Sequence, residues 1–177
     1  MKFLLALILT HGITNEPTTD ASIVFGSPMQ TGKWELTPEV IVCPHAPVSK
    51  ERVEEAVNFW KKLGYTIGDV VAADEKDFSC SRNIVLHGDI LINLPGQDFR
   101  MSKYLATTRT WIEKDSRRIL KAKIEVMGGW GDAERIMEHE IGHALGWRDY
   151  NQTGHIMHSN WSMGGYNTKG VKNETSI

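Results

Sequence analysis

The chain has 177 residues, a length typical of one domain that can bury a sizeable hydrophobic core. Its 20 Lys and Arg residues nearly balance its 22 Asp and Glu residues, and the formal net charge of -2 argues against a broad basic surface for nucleic acid. Apolar residues make up 41% and charged residues 24%, which is typical of a folded rather than a disordered chain. Two cysteines are too few for a disulfide scaffold, so packing must stabilise the fold.

The N-terminus has the layout of a secretory signal. Lys2 precedes an apolar run from Phe3 to Leu9, which is too short to span a membrane. His11 interrupts this layout and no A-x-A cleavage site follows, so a buried N-terminal strand or helix is the alternative. We predict a signal peptide over residues 1–14 and a secreted protein with no stable membrane association after processing. A cytoplasmic location is the alternative.

Residues 15–37 are rich in Thr, Pro, Gly and Ser, which predicts an irregular lead-in or a short pro-segment before a single domain over residues 38–177. That domain begins with a short apolar strand over residues 39–43. Ser49 is then positioned to cap a helix that ends at Gly64. The apolar positions of this helix follow helical spacing: Val53, Ala56, Val57, Trp60 and Leu63.

Three strands are predicted next. Residues 84–94 are almost continuously apolar and stop at Pro95, which indicates a buried strand. Residues 108–112 and 120–126 then form a predicted β-hairpin, with a polar turn at residues 114–116.

A second helix is predicted after a Gly-Gly break, with Asp132 as its cap and its end near Leu145. The residues after this helix are rich in glycine and show little periodicity. We therefore predict an irregular C-terminal region.

The second helix carries the residues that most clearly indicate a chemical function. Its run His139-Glu140-Ile141-Gly142-His143 places two histidines four residues apart, on the same helix face. Two neutral imidazoles make half of a tetrahedral zinc site. Glu140, next to the first histidine, is positioned to act beside the metal rather than to bind it.

The residues that follow extend the motif. Gly146 can adopt the left-handed conformation that ends a helix, and the returning chain would bring Asp149 beside the two histidines as a third ligand. His155 and His158 are the rival third ligands. Met157 lies between them, where a methionine in a tight turn can form an apolar floor beneath the site.

The stretch His-Glu-x-x-His-x-x-Gly with a downstream methionine turn resembles the metzincin zinc endopeptidases, including the matrixins. Most metzincins have a third histidine where this chain has Asp149, and the snapalysin-like branch resembles it in using Asp. The resemblance implies an α+β, metzincin-like fold. It would have a twisted, mostly parallel sheet with an edge antiparallel strand, two long helices, and a small irregular C-terminal subdomain after the active-site helix.

The resemblance also implies a function. The chain is expected to be a zinc-dependent endopeptidase in which His139, His143 and Asp149 bind Zn²⁺ and Glu140 is the general base that activates a zinc-bound water. An edge strand within residues 105–112 would align a peptide or protein substrate by β-augmentation. The protein is expected to be a monomer. The alternatives are a zinc-binding protein without peptidase turnover, or a hydrolase of a non-peptide amide such as a cell-wall crosslink.

The two cysteines leave one question open. Cys43 and Cys80 would form a disulfide in an exported protein and remain free thiols otherwise. Some matrixins use a cysteine to keep their zinc site latent, but the motif that surrounds it is absent around Cys43.

Tyr166, beyond the methionine turn, is a candidate to assist a developing oxyanion.

Overall fold

The computed structural model describes residues 6–14, 26–96 and 103–173. Residues 1–5 of the predicted signal peptide and residues 15–25 of the predicted lead-in lie outside these ranges. The seven strands are β1 (Ala6–Thr14), β2 (Lys33–Trp34), β3 (Glu39–Val42), β4 (Val70–Ala72), β5 (Asp89–Asn93), β6 (Tyr104–Glu113) and β7 (Arg118–Val126). The three helices are α1 (Lys50–Lys62), α2 (Phe78–Arg82) and α3 (Ile136–Ala144). Within the described ranges, none of the helices has the length and apolar character needed to cross a membrane.

All seven strands belong to one mixed sheet with the order β1-β6-β7-β5-β3-β4, and β2 pairs separately with β7. Strands β7, β5, β3 and β4 run parallel to one another, and β2 runs parallel to β7. The hairpin partner β6 and the outer strand β1 are antiparallel additions. The expectation of a mostly parallel sheet with an antiparallel edge is confirmed, and the antiparallel part contains two strands.

The first helix follows its sequence signals closely. The Ser49 side chain accepts a hydrogen bond from the Arg52 amide, which satisfies one of the free donors at the helix start. Gly64, just beyond the helix, has a φ of +91°, a left-handed conformation that glycine adopts without steric cost. The inward face buries Val53, Ala56, Val57 and Trp60.

Two predicted boundaries are wrong. Strand β5 begins at Asp89 rather than residue 84, and Ile84 and Leu86 are exposed in the loop before it. Helix α3 begins at Ile136, so Asp132 does not cap it. The residue before the helix is Arg135, whose φ of +69° is uncommon for a non-glycine residue. Its guanidinium donates a hydrogen bond to the backbone carbonyl of Trp161, a contact that sequence periodicity does not reveal.

A third helix was not expected. Helix α2 has five residues, too few to show helical periodicity, and the Asp77 side chain caps it by accepting from two backbone amides. A disulfide joins Cys80 of this helix to Cys43, with 5.4 Å between their Cα atoms. The disulfide therefore ties α2 to the chain just beyond β3.

The core between the sheet and the helices surrounds α3, all nine residues of which are buried. Arg52 of α1 makes a two-pronged ion pair with Glu138 of α3, with nitrogen-oxygen distances of 3.0 and 2.5 Å. The Trp60 indole also donates to the Glu138 carbonyl at 2.7 Å. These contacts fix the position of α3 relative to α1. Residues 145–173, as predicted, form an irregular segment that contains none of the named helices and strands.

Candidate metal centre

The two histidines of α3 are held by backbone carbonyls. His139 Nδ1 lies 2.9 Å from the Ile156 carbonyl oxygen, and His143 Nδ1 lies 2.7 Å from that of Trp147. A carbonyl can only accept, so each Nδ1 carries the proton and each Nε2 retains its lone pair in the neutral ring. This arrangement, in which the protein orients both rings through Nδ1, is typical of metal-binding histidines.

Asp149 is brought to the histidines by the turn that ends α3. Gly146 has a φ of +93°, as its predicted role requires, and the Trp147 amide donates to the Gly142 carbonyl at 3.1 Å. Asp149 Oδ1 then lies 3.5 Å from His139 Nε2 and 3.3 Å from His143 Nε2. The structure therefore brings together all three residues that were predicted to bind the metal.

These distances fit a metal site. Two ligands about 2.0–2.1 Å from a tetrahedral ion lie about 3.3–3.4 Å apart. His139 Nε2, His143 Nε2 and Asp149 Oδ1 are all buried, and within the described ranges none has a hydrogen-bond partner. Buried polar atoms are normally satisfied, so three that converge without partners indicate a position for a cation. Two histidines and a carboxylate are a donor set that zinc accepts.

The pKa values of two of these three groups favour the protonation state that can bind a metal, a neutral imidazole for His139 and a carboxylate for Asp149. Burial, together with the neighbouring His143, lowers the pKa of His139 to about 4, so its ring is neutral at pH 7. Burial alone would raise the pKa of Asp149, but the charge of His143 and the contacts with His11 and His139 lower it well below its usual value. Burial lowers the pKa of His143, but the charges of Asp149 and Glu140, together with the contacts to Asp149 and the Trp147 carbonyl, raise it above its usual value. A cation between them would displace that proton, so ligand binding and proton release would be coupled.

Glu140 lies beside this cluster and is fully buried. Its Oε2 accepts a hydrogen bond of 2.6 Å from the Thr108 hydroxyl of β6, and its Oε1 accepts one of 3.3 Å from the Ile13 amide of β1. Burial raises the pKa of the Glu140 carboxyl to about 7, although His143 and these two donors act in the opposite direction. A carboxyl with a pKa near neutrality is suited to exchange protons. Thr108 was not singled out from the sequence because no spacing rule links it to the helix.

The rival ligands occupy other positions. His155 uses both ring nitrogens, since its Nδ1 accepts from the Met157 amide and its Nε2 contacts the Lys169 carbonyl. His158 Nδ1 accepts from the Asn160 amide. Neither residue belongs to the compact group of ligand atoms formed by the two α3 histidines and Asp149.

The floor of the site is formed where Met157 packs beneath α3. Met157 is fully buried, and a Cβ placed on Gly142 would lie only 2.5 Å from its sulfur. The absence of a side chain at Gly142 therefore allows the turn to approach the helix. Tyr166 packs against Phe59 of α1 with 6.0 Å between ring centroids, and its role at an oxyanion stays a prediction.

One prediction about the substrate edge is wrong. Residues 105–112 were expected to form a free edge strand, but β6 pairs with β7 on one side and with β1 on the other. The second partner of β6 is β1, so the N-terminus forms the strand that was the alternative to a signal peptide. The apolar and β-branched residues of Ala6–Thr14 suit an extended conformation. The signal peptide over residues 1–14 stays a prediction.

No protein-family model, curated protein or solved structure matches this chain. The motif and the geometry of the site are therefore the basis on which a function can be proposed. Within the described residues, the combination of a preorganised three-ligand cluster and a buried carboxyl beside it is the feature that needs a chemical explanation.

Proposed function

We propose that this protein is a zinc-dependent endopeptidase of the metzincin type, with His139, His143 and Asp149 as zinc ligands and Glu140 as general base. The observation that carries the proposal is the convergence of three buried, unpartnered ligand atoms next to a buried glutamate whose pKa is near 7. A purely structural zinc site is closed by a fourth protein ligand and has no use for such a base.

The protein's own groups suit peptide hydrolysis. When bound, zinc would supply a Lewis acid that polarises a carbonyl and acidifies water. Thr108 holds Glu140 through Oε2 at 2.6 Å, and Oε1, which has only the longer 3.3 Å contact with the Ile13 amide, is the atom that would accept the proton of the attacking water and return it to the departing amine. Removal of residues 1–14 as the predicted signal peptide would free the outer edge of β6, which could then align an extended peptide substrate.

The proposal includes a secreted, monomeric protein. The Cys43–Cys80 disulfide supports export, because disulfides persist in oxidising compartments and are rare in the cytosol. The predicted signal peptide points the same way. A zinc protein without turnover, or a hydrolase of a non-peptide amide, remains the alternative that the experiment must distinguish.

The experiment measures zinc content and cleavage of a random peptide library by the wild type, Glu140→Gln and the exposed control Glu51→Gln. We expect about one zinc per chain in all three and cleavage in all but Glu140→Gln, with a loss of several hundredfold or more. Full zinc occupancy without peptide cleavage by the wild type would overturn the peptidase proposal, and absence of zinc would overturn the metal site.

A further inference from the structure

The C-terminal end of α3 is closed by residues 29–34, which we call the capping segment. The last carbonyls of a helix have no partner within the helix itself. Here three successive carbonyls at the helix end each accept a hydrogen bond of 2.9 Å from a side chain of the capping segment. The pairs are Trp34 Nε1 with Ala144, Gln30 Nε2 with Leu145, and Thr31 Oγ1 with Gly146. The donors thus come from a segment 110 to 115 residues earlier in the chain.

The capping segment also pairs with the backbone that follows the helix. An antiparallel bridge joins Gln30 to Trp147, and the Arg148 amide donates to the Met29 carbonyl at 3.0 Å. Trp147 and Arg148 are the two residues that precede Asp149. The turn that returns the chain to the metal centre is therefore paired, up to the residue before the third ligand, with the first half of the capping segment.

Two of the three metal ligands depend on this turn. The Trp147 carbonyl accepts a hydrogen bond of 2.7 Å from His143 Nδ1 and so orients that ring. Within the described ranges, the ion-pair partners of the Asp149 carboxylate are all histidines, the two of α3 and His11. Because His11 belongs to the predicted signal peptide and the α3 histidines are fellow ligands, the backbone of the turn must set the position of Asp149 in the processed chain.

The capping segment fits closely between the α3 turn and the β6–β7 turn. The Lys33 amide donates to the Arg117 carbonyl at 3.1 Å, where β2 begins to pair with β7. A Cβ on Gly32 would lie 2.7 Å from the Arg117 carbonyl oxygen, and a Cβ on Gly146 would lie 2.3 Å from the Gly32 carbonyl oxygen. Since the close contacts on both sides are with backbone oxygens, the segment transmits the position of the sheet to the turn.

We infer that the capping segment is a positioning element for the metal centre, because it fixes the turn that orients His143 and presents Asp149. Gln30 and Thr31 are its positioning residues, since their side chains bind the two carbonyls nearest to that turn. The inference rests on the metal site of the proposed function and does not require peptide cleavage. It places residues 29–34 within the functional domain, although their composition predicts an irregular lead-in.

The test combines Gln30→Met with Thr31→Val in the full chain, which removes two hydrogen-bond donors at nearly constant side-chain volume. The matched control combines Gln152→Met with Thr37→Val, the same changes at two exposed positions. Calorimetric titration of the metal-free protein measures zinc affinity, and the absorption spectrum of the cobalt-substituted protein reports ligand geometry. Hydrogen exchange of the Arg148 amide reports whether the turn is held.

We expect the Gln30→Met/Thr31→Val variant to bind zinc about 10- to 100-fold more weakly than the wild type, because residues that orient metal ligands have effects of this size. Its cobalt spectrum should change, and its Arg148 amide should exchange faster. The control should match the wild type in all three measurements. Thr31→Ser retains the hydroxyl and should keep the zinc affinity and the cobalt spectrum of the wild type.

A merely structural role of the capping segment predicts a different result. The metal-free double variant would unfold at lower urea concentration, but its zinc affinity and cobalt spectrum would equal those of the wild type. That outcome would overturn the inference and leave the zinc site in place. Each single variant is measured as well, so that the comparison does not depend on the folding of the double variant.

The same measurements separate this inference from the proposed function. A wild type that binds no zinc would overturn the metal site and the inference together. Zinc binding without peptide cleavage, with the expected loss of affinity in the double variant, would contradict only the peptidase proposal.

Discussion

Two segments present histidines to the same centre, and they are held in different ways. Helix α3 is buried along its whole length, and backbone carbonyls fix both of its histidine rings. Strand β1 is half exposed and is held mainly by pairing with β6 and by one buried side chain. A rigid helix supplies the ligands that must not move, whereas a lightly anchored strand covers them. The comparison shows that the groups able to bind a metal lie on the most deeply packed element, whereas the strand in front of them is held mainly by backbone pairing.

The largest effect should follow from the removal of a metal ligand on α3. We expect His139→Ala to lose zinc binding by at least about a hundredfold and to abolish peptide cleavage, because a two-ligand site lacks the geometry that zinc prefers. Calorimetric zinc titration of the metal-free protein provides the measurement. His45→Ala, at an exposed histidine, is the control. Equal zinc affinity in both variants would show that α3 does not hold the metal.

The next effect concerns the anchor of α3. Arg52→Met removes the partner of Glu138, whose side chain is only 8% exposed, and leaves a buried carboxylate unpaired. We expect the free energy of unfolding to fall by about 3–5 kcal/mol, as measured by urea denaturation. Arg82→Met, at an exposed arginine, should change it little. A loss below about 1 kcal/mol would mean that the ion pair does not position the helix.

A smaller loss is expected where the methionine turn meets the helix. Gly142→Ala inserts a methyl group that would lie 2.5 Å from the Met157 sulfur, so we expect a destabilisation of about 1–3 kcal/mol from overpacking. Zinc affinity should fall with it, since the turn carries the Ile156 carbonyl that orients His139. Gly128→Ala is the matched control, because a Cβ there meets no atom within 4 Å. Equal stability of the two variants would contradict the close packing of turn and helix.

The smallest effect involves β6, which lies between the two segments. Glu140 must be ionised to accept a proton, so cleavage should decline as the pH falls through the pKa of this carboxyl, which is about 7 in the metal-free protein. Thr108→Val removes a donor that stabilises the carboxylate and should move this acid limb upward by about 0.5–1 pH unit.

The control for this pH profile is Thr107→Val on the neighbouring residue, whose hydroxyl has no hydrogen-bond partner within the described ranges. Both substitutions preserve side-chain volume, so a general loosening of β6 would affect them alike. An unchanged profile in Thr108→Val would show that the hydroxyl does not tune Glu140.

Short sequence patterns predicted the structure correctly wherever it depends on residues that are close in the sequence. The Ser49 cap, the stop at Gly64 and the buried face of α1 all follow from short-range spacing and are confirmed. The predicted start of α3 is wrong because the residue before the helix is Arg135, which adopts a left-handed conformation and contacts the Trp161 carbonyl, 26 residues away. Helix α2 was missed because five residues are too few to show periodicity.

The sequence by itself determined which residues could form the site: the four-residue spacing puts His139 and His143 on one helix face, and Gly146 allows the turn that returns Asp149. Only the tertiary structure decided what surrounds them. Thr108, Ile13 and His11 reach the site from other strands, and the Cys43–Cys80 disulfide joins residues 37 apart. The physical reason is that spacing rules apply within one element, whereas contacts between elements depend on how the whole chain packs.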